Sequence, residues 1–392
     1  MNFDAVLLLE DGTCFLGRQF ASPPMQVEDL STKIAQSEAS HIGEVIFTTS
    51  MSGYVEVLSD PSYIGQLVCM TYPMIGNYGV DSSWFESNKI TYSKCITVAG
   101  LVIHQLYNGP VLKGRLTLES WMRTHNIPGI EGVDTRLLTK HLRDHGAQNG
   151  ALLTLSSFEE YAKEDILLLL KKMPKMEGRN LVGNIEKNTW NVRKERKDTL
   201  CNVAVLDCGA KENIIRLLHQ KGCAVERCSS LASAEELLDN TPDMLLISNG
   251  PGDPAVLQQQ LSTIQALFGK TVLCGICLGH QLLALALGIH TYKMSFGHHG
   301  SNHPVQDELS KKLYITSQNH VFAIQEENLP DDVLVWFRNV NDATVEGLHS
   351  YKRNIYSVQF HPEACPGPSD TSWIFDYFIQ RAIDFRTDYI RE

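Results

Sequence analysis

The stretch that most constrains this chain is Thr271-Val-Leu-Cys-Gly-Ile-Cys277-Leu-Gly-His-Gln281, followed by Leu282 to Leu287 and then Gly288. An apolar run of strand length meets a Gly-x-Cys-x-Gly turn, and helix formers closed by a glycine come after it. The pattern predicts a strand, a tight elbow at Cys277 and a helix. Gly275 and Gly279 flank the elbow because side chains there would collide with neighbouring backbone or hold strand and helix apart. A nucleophile on such an elbow stands at the carboxyl edge of a sheet, with the next residue's N–H available as an oxyanion donor. The positive end of the helix dipole favours negative charge on its sulfur.

Two plainer readings compete. A cysteine ending an apolar strand is usually core, and Cys274 with Cys277 has the spacing of a redox pair or half a zinc site. The paired glycines and the helix favour the elbow. Strand alternation turns Cys274 away from it, and no second Cys-x-x-Cys occurs in the chain.

From Asn202 onward strands predicted over 203–206, 224–227 and 244–247 alternate with helices over 211–221, 233–238 and 256–268. Repeated β-α-β units of this length predict an α/β domain with a parallel twisted sheet, helices on both faces and ligands at the carboxyl ends of the strands. Gly250-Pro-Gly252 and Cys277 both fall there. The amino-terminal part reads differently. Strands are predicted over 5–9 and 45–49, a buried strand over 96–103, and a helix from Asp134 to a glycine stop at Gly146. Closely spaced turn signals favour a small, mainly β unit. Residues 22–40 read as a polar surface loop, 158–173 as a helix and 174–199 as a charged linker. The chain thus divides into a first domain over 1–155, a helix and linker over 156–200, and a second domain over 201–392.

A thiolate nucleophile needs a base, and the base needs an orienting acceptor. Gln359-Phe-His361-Pro-Glu363 supplies both, because in an extended segment positions i and i+2 point the same way. Gly250 and Gly252 leave backbone open to a developing oxyanion, and the Leu278 N–H is a second donor. Gln281, one helical turn beyond Cys277, faces the same side. His298, His299 and His303 read as a hydrogen-bonded loop, and no metal site is expected.

The formal net charge of −11 argues against a nucleic-acid partner. The aliphatic run 166–170 is far too short to span a bilayer. An acidic amino terminus lacks the bases of a secretory signal, and ten scattered cysteines suggest a reduced, cytoplasmic setting.

Ser248-Asn-Gly-Pro-Gly-Asp-Pro254, Gly275-Ile-Cys-Leu-Gly-His-Gln281 and His361-Pro-Glu363 resemble the triad-type, class I glutamine amidotransferases. Cys208-Gly-Ala-Lys-Glu-Asn-Ile214, Phe296-Gly-His-His-Gly300, Thr316-Ser-Gln-Asn-His320 and Pro366-Gly-Pro368 are similar to the small subunits of carbamoyl phosphate synthetase. So are Thr49-Ser-Met-Ser-Gly-Tyr54, Asp60-Pro-Ser-Tyr63, Tyr72-Pro-Met-Ile-Gly-Asn77 and Gly132-Val-Asp-Thr-Arg136 in the amino-terminal half. The resemblance spares only 22–40 and the linker. It implies a mainly β small domain followed by a flavodoxin-like amidotransferase domain. It implies that Cys277 attacks the glutamine amide, that His361 moves the protons and that Glu363 orients it. Glutamine would be held by Ser62, Gly250, Gly252, Leu278, Gln281, Asn319, Val321 and Phe322. Ammonia would pass to a large subunit that uses ATP, magnesium and bicarbonate to make carbamoyl phosphate for arginine or pyrimidine biosynthesis. No cofactor is implied on this chain.

Two positions depart from the family. Glycine is usual where Val321 stands, and a β-branched residue avoids positive φ, so an altered backbone or weaker glutamine binding is expected there. Serine is usual where Cys365 stands. The alternatives are an amidotransferase domain serving another synthase, such as one for anthranilate or guanylate, and a catalytically silent subunit; the presence of Cys277 speaks against the second.

Overall fold

Short apolar strands close on themselves in the amino-terminal half, whereas longer β-α-β units open into a sheet in the other. The computed structural model describes residues 3–36, 40–87, 95–183, 191–194, 199–327 and 329–391. It divides into two units, Met1–Arg179 and Asn180–Glu392.

In the first unit seven strands form a closed barrel. Their order is Ala5–Leu9, Cys14–Ala21, Pro128–Glu131, Gly100–Val102, Gln66–Met70, Ile42–Thr48 and Gln148–Thr154, which pairs back to the first. Ala5–Leu9 is buried along its whole length because both of its faces are covered. Ala5, Leu7 and Leu9 face one core with Leu67, Ile130 and Leu152. Val6 and Leu8 face a second, with Met25, Val27 and Leu30 and with Ile166, Leu170 and Met173.

That second core overturns the surface loop expected over 22–40. Met25, Val27 and Leu30 are buried, and Leu30–Gln36 is a helix; residues 37–39 lie outside the described ones. The helix expected over 158–173 is two, Leu155–Glu160 and Lys163–Leu170, because Tyr161 and Ala162 are extended between them. These helices pack on barrel strands, so the first unit runs on to Arg179 rather than closing near 155. Much of the expected linker, 184–190 and 195–198, lies outside the described residues. The strand expected over 96–103 shortens to Gly100–Val102, although Ile96, Val98 and Ala99 are buried. Thr135–His145 is a helix whose N-cap Asp134 accepts from the Leu137 N–H at 2.8 Å.

In the second unit five parallel strands, numbered in chain order, are Cys201–Asp207, Cys223–Ser229, Met244–Ile247, Val272–Ile276 and Ile355–Val358. They lie in the order 2-1-3-4-5. One face carries Glu212–Gln220 and Trp373–Arg391 through Ile214, Leu218, Phe375 and Phe378. The other carries Gln258–Ala266 and Leu278–Ala286 through Ile264, Leu282 and Leu283. Beyond the fifth strand the sheet continues antiparallel through Val345–Ser350, Leu334–Asn339, Thr291–Asp307 and Leu313–Ile324, an extension that the β-α-β reading did not include. Among the described residues no helix is long and apolar enough to cross a membrane.

Candidate active site

The fourth and fifth strands are parallel, with Ile276 opposite Val358, so the chain leaves both at the same edge of the sheet. Cys277 follows one and Gln359-Phe-His361 the other. Cys277 has φ 55° and ψ −103°, a conformation that costs a non-glycine residue about 1–3 kcal/mol and persists only where its surroundings over-determine it. Its N–H donates to the Val358 carbonyl at 2.9 Å, and its carbonyl accepts from the Gln281 N–H at 3.2 Å, opening the helix Leu278–Ala286. The elbow is therefore clamped from both sides. Cys274 is fully buried in a core that it shares with Cys201 and Cys223.

His361 and Glu363 meet, but not through strand alternation. The Ala364 N–H bonds the His361 carbonyl at 3.1 Å, closing a β-turn with Pro362 at its second position. The turn folds Glu363 back so that the His361 Nδ1 lies 2.6 Å from its Oε1. Both side chains are buried. Burial opposes charge on the ring, yet Glu363 and then Cys277 outweigh it and raise the His361 pKa. Burial likewise opposes charge on Glu363, but Lys211 and then His361 hold its pKa well below the usual carboxylate range. The thiol of Cys277 donates to the Asn319 carbonyl at 3.5 Å, and the His361 Nε2 makes no aligned hydrogen bond. Sulfur and ring thus stand close enough to share charge without being locked together.

Several of the other expected residues lie on the elements around this pair. Gly250 touches both the loop after the first strand and the elbow, since a β-carbon there would lie 2.2 Å from the Cys208 carbonyl oxygen and 2.8 Å from a Leu278 methyl. Gly252 has φ 91°. The amides of the first helical turn have no intrahelical acceptor, and that of Leu278 is among them. Gln281 donates through Nε2 to the Phe322 carbonyl at 2.8 Å and to the Gln359 Oε1 at 3.0 Å. Asn319 is held by its Oδ1, 3.0 Å from the His299 Nδ1. Val321 lies within the strand Leu313–Ile324 and does not have positive φ, so valine fits this backbone without strain. Ser62 belongs to the first unit, on a single turn where its N–H donates to Asp60 at 2.9 Å. Gln359, His299 and Lys211 were absent from the expected set; nothing in their local sequence marks a residue that acts by holding another.

His298, His299 and His303 lie on the strand Thr291–Asp307 rather than in a loop. Among the described residues, His298, His320 and Glu346 bring possible ligand atoms within 4.8 Å of one another. Hydrogen bonds close this group into a network. The His298 Nε2 is 2.8 Å from Asp342, Gln318 donates to Glu346 at 3.0 Å, and the His320 nitrogens reach Gln318 and the Phe322 carbonyl. Gln318 and His320 flank Asn319, so the network braces the strand that presents it. Burial opposes charge on His298, but Asp342 and then Glu346 carry its pKa up to about 9. A raised pKa gives a stabilisation fully present below the unfolded value of about 6.5 and lost as pH climbs through about 9. In urea titrations the stability gap between the native chain and His298→Asn is therefore expected to shrink from pH 6 to pH 9.5. A gap that stays constant over that range would refute this.

Comparison with known proteins gives two family matches. Residues 204–381 match the model of glutamine amidotransferase class-I, and residues 7–152 match that of the carbamoyl-phosphate synthase small chain, CPSase domain. The chain is 42% identical over 377 residues to the carbamoyl phosphate synthase small chain of Methanocaldococcus jannaschii, covering 96% of this chain and 98% of that one. It is 41% identical over 379 residues to that of Methanopyrus kandleri, again covering 96% and 98%. Among solved structures, a GMP synthase protein from Thermoplasma acidophilum aligns with 49% of this chain and 98% of its own, at 24% identity and a TM-score of 0.42.

Proposed function

This chain belongs to the carbamoyl-phosphate synthase small-chain family, and from that premise we propose that it hydrolyses L-glutamine to glutamate and ammonia on Cys277, His361 and Glu363. The observation that carries the reading is the 2.6 Å contact between the His361 Nδ1 and Glu363, made beside a clamped cysteine elbow. The Cys277 sulfur attacks the side-chain amide carbon, and the oxyanion that forms draws on the Leu278 N–H and the backbone around Gly250 and Gly252. The imidazolium of His361 gives its proton to the departing nitrogen, and ammonia leaves behind a γ-glutamyl thioester. The neutral ring then takes a proton from water, which attacks the thioester; glutamate departs and the thiolate returns.

Gln281, Asn319, Val321 and Phe322 complete the glutamine site in this reading. The ammonia passes through an internal channel to a large-subunit partner, where ATP, magnesium and bicarbonate yield carbamoyl phosphate for arginine or pyrimidine biosynthesis; this chain itself carries no cofactor. The setting is the cytoplasm, which keeps its ten cysteines reduced.

The test is to quench the chain with acid during turnover of glutamine and search its peptides by mass spectrometry. A γ-glutamyl adduct on the peptide carrying Cys277, absent when glutamine is omitted, is expected. Steady glutamate release with the adduct on another residue would exclude Cys277 as the nucleophile.

A further inference from the structure

Only 2% of the Lys211 surface is exposed, an unusual place for a group that is rarely out of water unless paired. It follows the first parallel strand, in a turn where Asp207 accepts from the Gly209 and Ala210 N–H groups at 3.0 and 2.7 Å. Its own N–H donates to Asn249 at 3.0 Å. The side chain runs to the turn after the fifth strand, where its Nζ donates to the Ala364 carbonyl and stands 3.1 Å from the Glu363 Oε1. That oxygen is the one 2.6 Å from the His361 Nδ1. Two cationic groups therefore share one carboxylate oxygen.

We propose that Lys211 is a positioning residue of the hydrolytic site, one that divides the charge of Glu363 between its own ammonium and the imidazole and so sets the pH at which His361 releases its proton. The inference deepens the amidotransferase reading and rests on it. A lone buried carboxylate would hold the imidazolium proton tightly and leave little neutral ring to activate water. A second cation on the same oxygen weakens that hold and repels the ring's positive charge. Lys211 is also the foremost group keeping Glu363 ionised, after burial has opposed it.

The charged and titratable groups facing the ring are Glu363 from its own turn and Cys277 from the elbow, with the Ser317 carbonyl 2.9 Å from its backbone N–H. Around Lys211, Arg227 engages Asp207 at 2.6 Å and also Glu212, a second ion network on the same loop. Asn213 donates to the Glu363 backbone carbonyl at 2.6 Å, so the turn keeps an anchor if the lysine side chain is removed.

The experiment measures kcat for glutamine hydrolysis against pH in the full chain and in Lys211→Met, Lys211→Gln and Lys211→Arg, each checked for native circular dichroism. The neutral variants are expected to shift the acid limb of the profile upward by about one pH unit, the size of a lost like-charge interaction at close range. That leaves kcat about tenfold lower below the limb, with partial recovery at high pH. Lys211→Arg is expected to keep the limb near its native position. In a Glu363→Gln background Lys211→Met should move the limb by less than it does in the native background, because only the direct repulsion between ammonium and imidazolium then remains. A folded neutral variant with an unmoved limb, or with kcat depressed equally at every pH, overturns the proposal; so does loss of fold in both neutral variants, which would make the lysine a structural strut. If the native chain itself hydrolyses no glutamine, the amidotransferase reading fails instead.

Discussion

Replacing Cys277 by serine is expected to cut glutamine hydrolysis by at least about a thousandfold while leaving the fold intact. Serine differs from cysteine by one atom, and a side chain with one free oxygen still has the Asn319 carbonyl to bond. What is lost on the proposed mechanism is the nucleophile: a hydroxyl ionises far less readily than a thiol and is a far weaker nucleophile than a thiolate. The same variant, assembled with the large-subunit partner, should still make carbamoyl phosphate from added ammonium, since that route bypasses the amide. Glutamate release and the ammonium-driven reaction are read side by side. If both are lost, Cys277 is a structural element and the proposed chemistry is wrong.

The second large effect concerns folding. A β-carbon at Gly279 would lie 2.1 Å from the Ile247 carbonyl oxygen and 2.7 Å from its carbon, both backbone atoms at the end of the third strand. No rotamer relieves a clash with backbone, so Gly279→Ala must push the helix Leu278–Ala286 off the sheet. The expected loss is about 3 kcal/mol or more in urea unfolding at unchanged m, together with most of the activity, because the same helix fixes the elbow. Gly288 is the control: a β-carbon there meets nothing within 4 Å, and only its φ of 87° opposes alanine. Gly288→Ala should therefore cost about 1 kcal/mol. Equal losses at the two positions would mean that helix and strand can separate cheaply.

The elbow was legible in the sequence because its causes are local: flanking glycines, an apolar strand before and helix formers after. The same holds for the Asp134 cap and for the parallel strands. What escaped depends on distant partners. Met25, Val27 and Leu30 are three apolar residues in a polar stretch, and only the presence of Val6 and Leu8 makes them core. The long antiparallel hairpin that supplies Asn319 and Phe322 has strands of mixed burial, which no simple period betrays. His361 and Glu363 were paired by the wrong geometry, since a turn with Pro362, not an extended strand, brings them together. Concern over Val321 came from an expected positive φ that its strand never adopts. Lys211 was visible only as a letter in a motif, because burial of an ammonium is decided by a carboxylate some 150 residues away.

In the proposed mechanism, the nearness of the Cys277 sulfur to the His361 ring would make the two half-reactions self-timing. While the sulfur carries charge it helps retain the ring's proton, which is the condition an acid needs. Once the sulfur is esterified that charge vanishes, the ring's affinity for a proton drops, and the same nitrogen becomes ready to strip water. On that mechanism, progress of the substrate through the cycle would itself be the signal that reverses the imidazole's role.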